Sequence, residues 1–232
     1  MQEKLVILSK KLIISINYIM KINSFLIKTI IAHRGVHYRY LENTVLAFNE
    51  AINRNYTIEF DIRVTKDNQI VVFHDSNLKR IFGINRDVDD LTLDELKKYR
   101  YIPTLEEVLS LINGKVPIII DVKTYNKKLI NILDNYNGEF SIQSFNPLIL
   151  YKIKIVRPNY IIGYLIYKFL YLKSILLILK PDYIATNLNN LELISKYKNK
   201  YIILGYTLKT KKEYQKYKNL VDNFICDIRW IR

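Results

Sequence analysis

From residue 116 onward the chain alternates short β-branched or aromatic runs with segments of helical periodicity, and this alternation narrows the fold more than any other feature. Strands are predicted at 116–122, 140–143, 160–164, 182–185, 201–206 and 222–226, with helices at about 127–136, 147–156, 167–179, 191–197 and 211–218 between them. Two further strands lie upstream, at Ile30-Ile31-Ala32 and at 57–62. They are separated by a helix from about 44 to 54 that Asn43 or Thr44 would cap. Eight strands alternating with helices in a chain of 232 residues predict an α/β fold, a TIM (β/α)8 barrel.

One connection breaks the pattern. Only Thr65-Lys66-Asp67-Asn68-Gln69 joins 57–62 to the apolar run at 70–73, whereas a parallel crossover needs a dozen residues or more. The two runs therefore form a hairpin after strand 2, with Asn68 in the left-handed turn position. Residues 76–102 form a small insertion over the barrel mouth, containing one short helix opened by Thr92. A helix starting at Pro103-Thr104 ends near Gly114.

Chemistry-bearing residues collect at the ends of these strands, where a barrel of this type carries its active site. The first strand ends in His33-Arg34-Gly35. In the second, Glu59 and Asp61 alternate with Ile58, Phe60 and Ile62, so both carboxylates leave one face. The hairpin return ends in His74-Asp75 and the third barrel strand in Asp121-Val122-Lys123. Two neighbouring buried carboxylates are costly unless cations or donors compensate them. Three acids without a cysteine beside them favour a hard divalent ion, Mg²⁺ or Ca²⁺. Arg34 offers a fork for phosphate oxygens, Lys123 a point charge, and two histidines suit a proton taken and a proton given. These parts fit metal-assisted cleavage of a phosphate ester. Local readings complete the picture: helix capping for Glu42-Asn43-Thr44, a surface loop position for His37, a core position for Cys226.

The formal charge of +14 raises the question of nucleic acid, but the lysines are scattered along the whole length and no nucleic-acid-binding pattern accompanies them. Anionic headgroups or phosphate-bearing substrates are the better match. Residues 1–28 form an apolar and basic extension in which Lys4, Lys10, Lys11 and Lys21 interrupt every long uncharged run. The extension is therefore read as an amphipathic segment on a membrane surface, as packing over the bottom of the barrel, or as sequence ahead of a translation start at Met20, and 29–232 as one barrel domain. A lone cysteine fits a reducing, cytoplasmic setting, with peripheral membrane contact through the extension.

Taken in order, His33-Arg34-Gly35, Glu42-Asn43-Thr44, Glu59-x-Asp61, Thr65-Lys66-Asp67, His74-Asp75, Pro103-Thr104-Leu105 and Ser144-Phe145 resemble the glycerophosphodiester phosphodiesterase family, which shares its barrel with phosphoinositide-specific phospholipases C. The resemblance covers about 30–228. It implies hydrolysis of glycerophosphodiesters to glycerol 3-phosphate and an alcohol, with the glycerol 2-hydroxyl attacking first to form a cyclic phosphate. By the same resemblance His33 and His74 are the acid and base, Glu59, Asp61 and Asp121 hold one divalent cation, Arg34 and Lys123 bind phosphate, and Tyr206 lines the pocket for glycerol or headgroup. The chain departs from the family at Leu41 (proline), Asn68 (glycine), Asp121 (glutamate), Tyr206 (tryptophan) and Lys209 (asparagine). Two alternatives accompany it, a lysophospholipase D acting on membrane lysolipids and a barrel that binds phosphodiesters or membrane without turnover.

Overall fold

The computed structural model describes residues 24–99, 101–167, 169 and 171–227. Its strands are β1 (Ile31–His33), β2 (Thr57–Val64), β3 (Ile70–Val72), β4 (Ile118–Val122), β5 (Phe140–Ser144), β6 (Ile162–Ile166), β7 (Tyr183–Asn187), β8 (Ile202–Leu208) and β9 (Asn223–Cys226). All but β3 run parallel. Because β1 pairs with both β2 and β9, the eight close into a barrel. Helices lie between successive barrel strands, so the expected (β/α)8 architecture is the one observed.

The short connection after β2 is a hairpin, with β3 antiparallel to it through Ile62–Val72, Arg63–Val71 and Val64–Ile70. The Thr65 N–H donates to the Gln69 carbonyl at 2.9 Å, and Asn68 adopts φ 61°. Asparagine tolerates that left-handed conformation better than most residues. The insertion that follows carries its own small core, in which Leu78, Val88, Leu91 and Leu96 pack on Val71 and Phe73.

Alternation along each strand divides two apolar layers. Ala32, Ile58, Phe60, Ile62, Ile118, Ile120, Val122 and Ile142 face outward into the helices. The lumen is filled from below by Ile31, Ile119, Leu165, Tyr183, Leu204 and Ile225. Tyr183 fits there because β6 presents Gly163 opposite it; a Cβ on that glycine would lie 2.0 Å from the tyrosine ring. The described part of the N-terminal extension ends in a single helical turn, Phe25–Lys28, whose Phe25 and Leu26 join this lumen layer and close the barrel floor. Residues 1–23, on which the membrane-helix reading rests, lie outside the described residues. Among those described, no helix is long and apolar enough to cross a membrane.

One helix is shorter than its periodicity indicates. It begins at Leu172, not Tyr167, because Tyr171 takes a left-handed conformation (φ 59°) that cannot continue an α-helix.

Candidate active site

Strand register sets the acidic residues side by side. His33 pairs with Glu59 across β1–β2, Asp61 with Asp121 across β2–β4, and Asp121 with Gln143 across β4–β5. Oxygens of Glu59, Asp61 and Asp121 lie within 4.8 Å of one another, and all three residues are buried. Hairpin geometry delivers the second imidazole to the same level. The Phe73 N–H donates to the Asp61 carbonyl (3.0 Å) and Arg63 Nε to the His74 carbonyl (2.8 Å).

Two cations sit against the acids. Lys123 Nζ is 3.0 Å from Asp61 Oδ1 and 2.5 Å from Asp121 Oδ2. Arg34 has φ 55°, which turns its backbone N–H onto Glu59 Oε2 (3.2 Å) and its Nη1 onto Glu42 Oε1 (2.7 Å). Gly35 follows because the chain there has φ 77° and passes so close to Ala47 that a Cβ would lie 2.9 Å from its backbone.

Electrostatics separate the three carboxyls. Burial pushes Glu59 well above the ordinary glutamate range, and Asp61 and Asp121 add to this. Burial likewise raises Asp121, to about 6, although Lys123 opposes it. At Asp61 the upward push of burial is overcome by Lys123, Arg34 and His74 and by the Asn43 hydrogen bond, leaving it well below the ordinary range. Three buried carboxyls thus share two cations, one of which, Arg34, also pairs with Glu42. One buried polar atom there, Asp121 Oδ1, lacks a hydrogen-bond partner, whereas Arg34 Nε is ion-paired with Asp61 Oδ2 at 3.3 Å. Orphans of this kind are rare and call for a ligand or ion. An oxygen-rich, buried, acidic set suits a hard divalent cation, so the donors fit Mg²⁺ or Ca²⁺.

Each imidazole is held through Nδ1. His33 Nδ1 donates to Asp227 Oδ1 at 2.8 Å, and His74 Nδ1 to Asp75 Oδ1 at 2.5 Å. Burial lowers the pKa of both rings; the Asp227 bond opposes this at His33 and the Asp61 charge at His74. Asp75 is itself gripped by Arg80 Nε (2.6 Å), whose guanidinium also binds Glu42 (2.6 and 2.9 Å). An unbroken arc runs from His74 through Asp75, Arg80 and Glu42 to Arg34.

All eight residues singled out from the sequence, His33, Arg34, Glu59, Asp61, His74, Asp121, Lys123 and Tyr206, line one cleft of about 420 Å³, together with Gln143, Phe145 and Lys209. That volume suits a small ligand. The Tyr206 hydroxyl is taken up by the Ile166 carbonyl (3.3 Å). Two local readings need correction. His37 is not a surface loop residue: it is half-buried, with Nδ1 2.7 Å from the His33 carbonyl and Nε2 3.5 Å from Asp227. Nor is Glu42-Asn43-Thr44 capping alone. Thr44 caps the helix Val45–Asn53, while Asn43 Nδ2 donates to Asp61 Oδ2 at 3.1 Å and Glu42 pairs with two arginines.

Asp227, Gln143 and Arg80 were not anticipated. Asp227 and Gln143 sit at strand ends, the signal that identified the other acids. Gln143 Nε2 donates to Glu59 Oε1 (3.2 Å), and Gln143 Oε1 accepts from the Tyr183 hydroxyl (3.3 Å). Nothing in the sequence marks Arg80.

Comparison with known proteins agrees with this geometry. The model of the glycerophosphoryl diester phosphodiesterase family matches residues 33–174, well over half the chain. A glycerophosphodiester phosphodiesterase of Caldanaerobacter subterraneus is 35% identical over 59% of the chain and 65% of its own length. A human lysophospholipase D is 37% identical over 47% of the chain and 42% of its own length. The chain thus spans less than two thirds of the length of these curated relatives. Among solved structures, the glycerophosphodiester phosphodiesterase of Thermotoga maritima superposes with a TM-score of 0.75 at 27% identity, covering 86% of this chain and 94% of that one. A phosphodiesterase of Oleispira antarctica, solved with the product sn-glycerol 3-phosphate, gives 0.76 at 22% identity over 87% and 93%, a likeness of fold.

Proposed function

This chain belongs to the glycerophosphoryl diester phosphodiesterase family, and from that premise we propose that it hydrolyses glycerophosphodiesters to glycerol 3-phosphate and an alcohol. Glu59, Asp61 and Asp121 hold one divalent cation, Mg²⁺ or Ca²⁺. When bound, the ion supplies Lewis-acid polarisation of a phosphoryl oxygen. Arg34 and Lys123, the two cations lining the cleft beside the acids, receive the phosphate charge. One imidazole takes the proton of the glycerol 2-hydroxyl as its oxygen bonds to phosphorus; the other protonates the departing alkoxide. Water then opens the cyclic phosphate by the reverse proton movements. Asp227 and Asp75 fix the Nδ1 protons and so present each Nε2 to the cleft.

The observation that carries this reading is the convergence of both imidazoles on one cleft with three buried carboxylates whose oxygens lie within 4.8 Å. The substrate is a small molecule rather than nucleic acid, and the lone, buried Cys226 suits a reducing cytoplasmic compartment. A second reading, hydrolysis of lysolipids, is supported by the half-exposed Phe145 ring at the cleft and by the human relative's activity on such lipids. A coupled assay for choline, the product both substrates release, decides between them. Glycerophosphocholine and lysophosphatidylcholine are compared with Mg²⁺, with Ca²⁺ and with chelator. Metal-dependent release from glycerophosphocholine is expected; no release under any condition overturns the reaction.

A further inference from the structure

We propose that the outer face of the two helices following β5 and β6 is a docking surface for an anionic lipid bilayer. The helix Pro147–Val156 buries Ile149, Leu150 and Ile153 against the barrel. Its opposite face, where an ordinary barrel helix is polar, carries Leu148, Tyr151 and Ile155 at helical spacing, with Leu148 67% and Ile155 64% exposed. The helix Leu172–Leu179 packs beside it and leaves Leu177 69% and Ile178 68% exposed. At the mouth end of the same two units Phe145, Tyr167 and Tyr171 are also exposed. A contiguous apolar face of this kind marks an interaction surface.

Charge identifies the occupant. Between Glu139 and Asp182 the sequence has no acidic residue, but it has Lys152, Lys154, Arg157, Lys168, Lys173 and Lys180. Lys154 and Arg157 turn to Asp182 and Asp134 at the margins of the face, while Lys152, Lys173 and Lys180 are exposed. A second copy docked by two-fold symmetry would set this basic face against itself. Residues 1–23, with four lysines and one glutamate, carry the same sign. A bilayer offers an apolar boundary beneath negative headgroups, and its interface favours tyrosine. Phe145 links the face to the cleft, so docking would set the cleft rim beside the headgroups. That consequence rests on the reaction proposed above; the docking does not.

Vesicle flotation of the full chain tests the surface. Vesicles of phosphatidylcholine with phosphatidylglycerol should carry the protein in a salt-sensitive manner, and vesicles of phosphatidylcholine alone should not. The combined variant Leu148→Ser, Ile155→Ser, Leu177→Ser and Ile178→Ser, and separately Lys152→Glu with Lys173→Glu, should each weaken partitioning by about tenfold or more. Turnover of soluble glycerophosphocholine should stay unchanged in both. The proposal is overturned if the wild type ignores anionic vesicles or if both variants partition like it. It is also overturned if the serine variant alters only self-association in gel filtration. Loss of turnover with vesicle binding intact counts against the reaction, not the surface.

Discussion

Replacing Asp227 by asparagine isolates the part played by a residue that touches no substrate in this account. Asp227 Oδ1 accepts the His33 Nδ1 proton at 2.8 Å and lies 3.5 Å from His37 Nε2. A hydrogen bond to a charged acceptor contributes about 1.5–3 kcal/mol, so its loss should lower kcat/KM on glycerophosphocholine roughly 10- to 150-fold. The asparagine amide can also donate to Nδ1, which would move the ring proton to the Nε2 that faces the cleft. The larger end of the range is then expected if His33 acts as the base. Burial already lowers the His33 pKa, and the Asp227 bond is the strongest opposing influence. Removing it should move the His33 limb of the kcat/KM profile to lower pH, whichever role the ring has. The measurement is kcat/KM from pH 5 to 9 with thermal unfolding as a control of fold. A variant with wild-type kcat/KM and an unmoved limb would refute the positioning role.

Arg80→Ala should lower kcat roughly tenfold with a smaller change in KM, because Arg80 holds Asp75 and Glu42 without lining the cleft; Arg80→Lys should recover part of the loss. Gly163→Ala should destabilise the chain by about 1–3 kcal/mol in denaturant unfolding, since its Cβ would strike the Tyr183 ring. Without added metal, raised carboxyls make stability fall as pH rises. Asp121 keeps its proton up to about pH 6 in the folded chain, whereas unfolded aspartate releases it near 4, and Glu59 acts in the same direction. The lowered Asp61 acts oppositely, but its contribution is complete above the ordinary aspartate range. Melting curves at pH 5 and 7.5 should accordingly show a larger rise in Tm on adding Mg²⁺ or Ca²⁺ at the higher pH. An equal or absent rise would argue against cation binding by these acids.

Much of the site was legible because strand periodicity is local. The alternation in 57–62 alone places Glu59 and Asp61 on one face, and a five-residue link alone forces the hairpin that returns His74 to Asp61. What stayed hidden depends on closure. His33 and Asp227 lie 194 positions apart and meet only because β9 seals against β1. Arg80 sits in an insertion without periodicity, and its two acidic partners come from separate loops. The helix start at Leu172 was missed because apolar spacing continues through Tyr171 while its backbone does not.

The central claim is that His33 and His74 act together on one phosphodiester. It is tested most directly by following glycerophosphocholine by ³¹P NMR with the wild type, His33→Ala and His74→Ala, each with metal and each shown to be folded. The account predicts a monoester glycerol 3-phosphate signal with the wild type and a loss of about 10²-fold or more in rate in each variant. Turnover at the wild-type rate in either variant would contradict it.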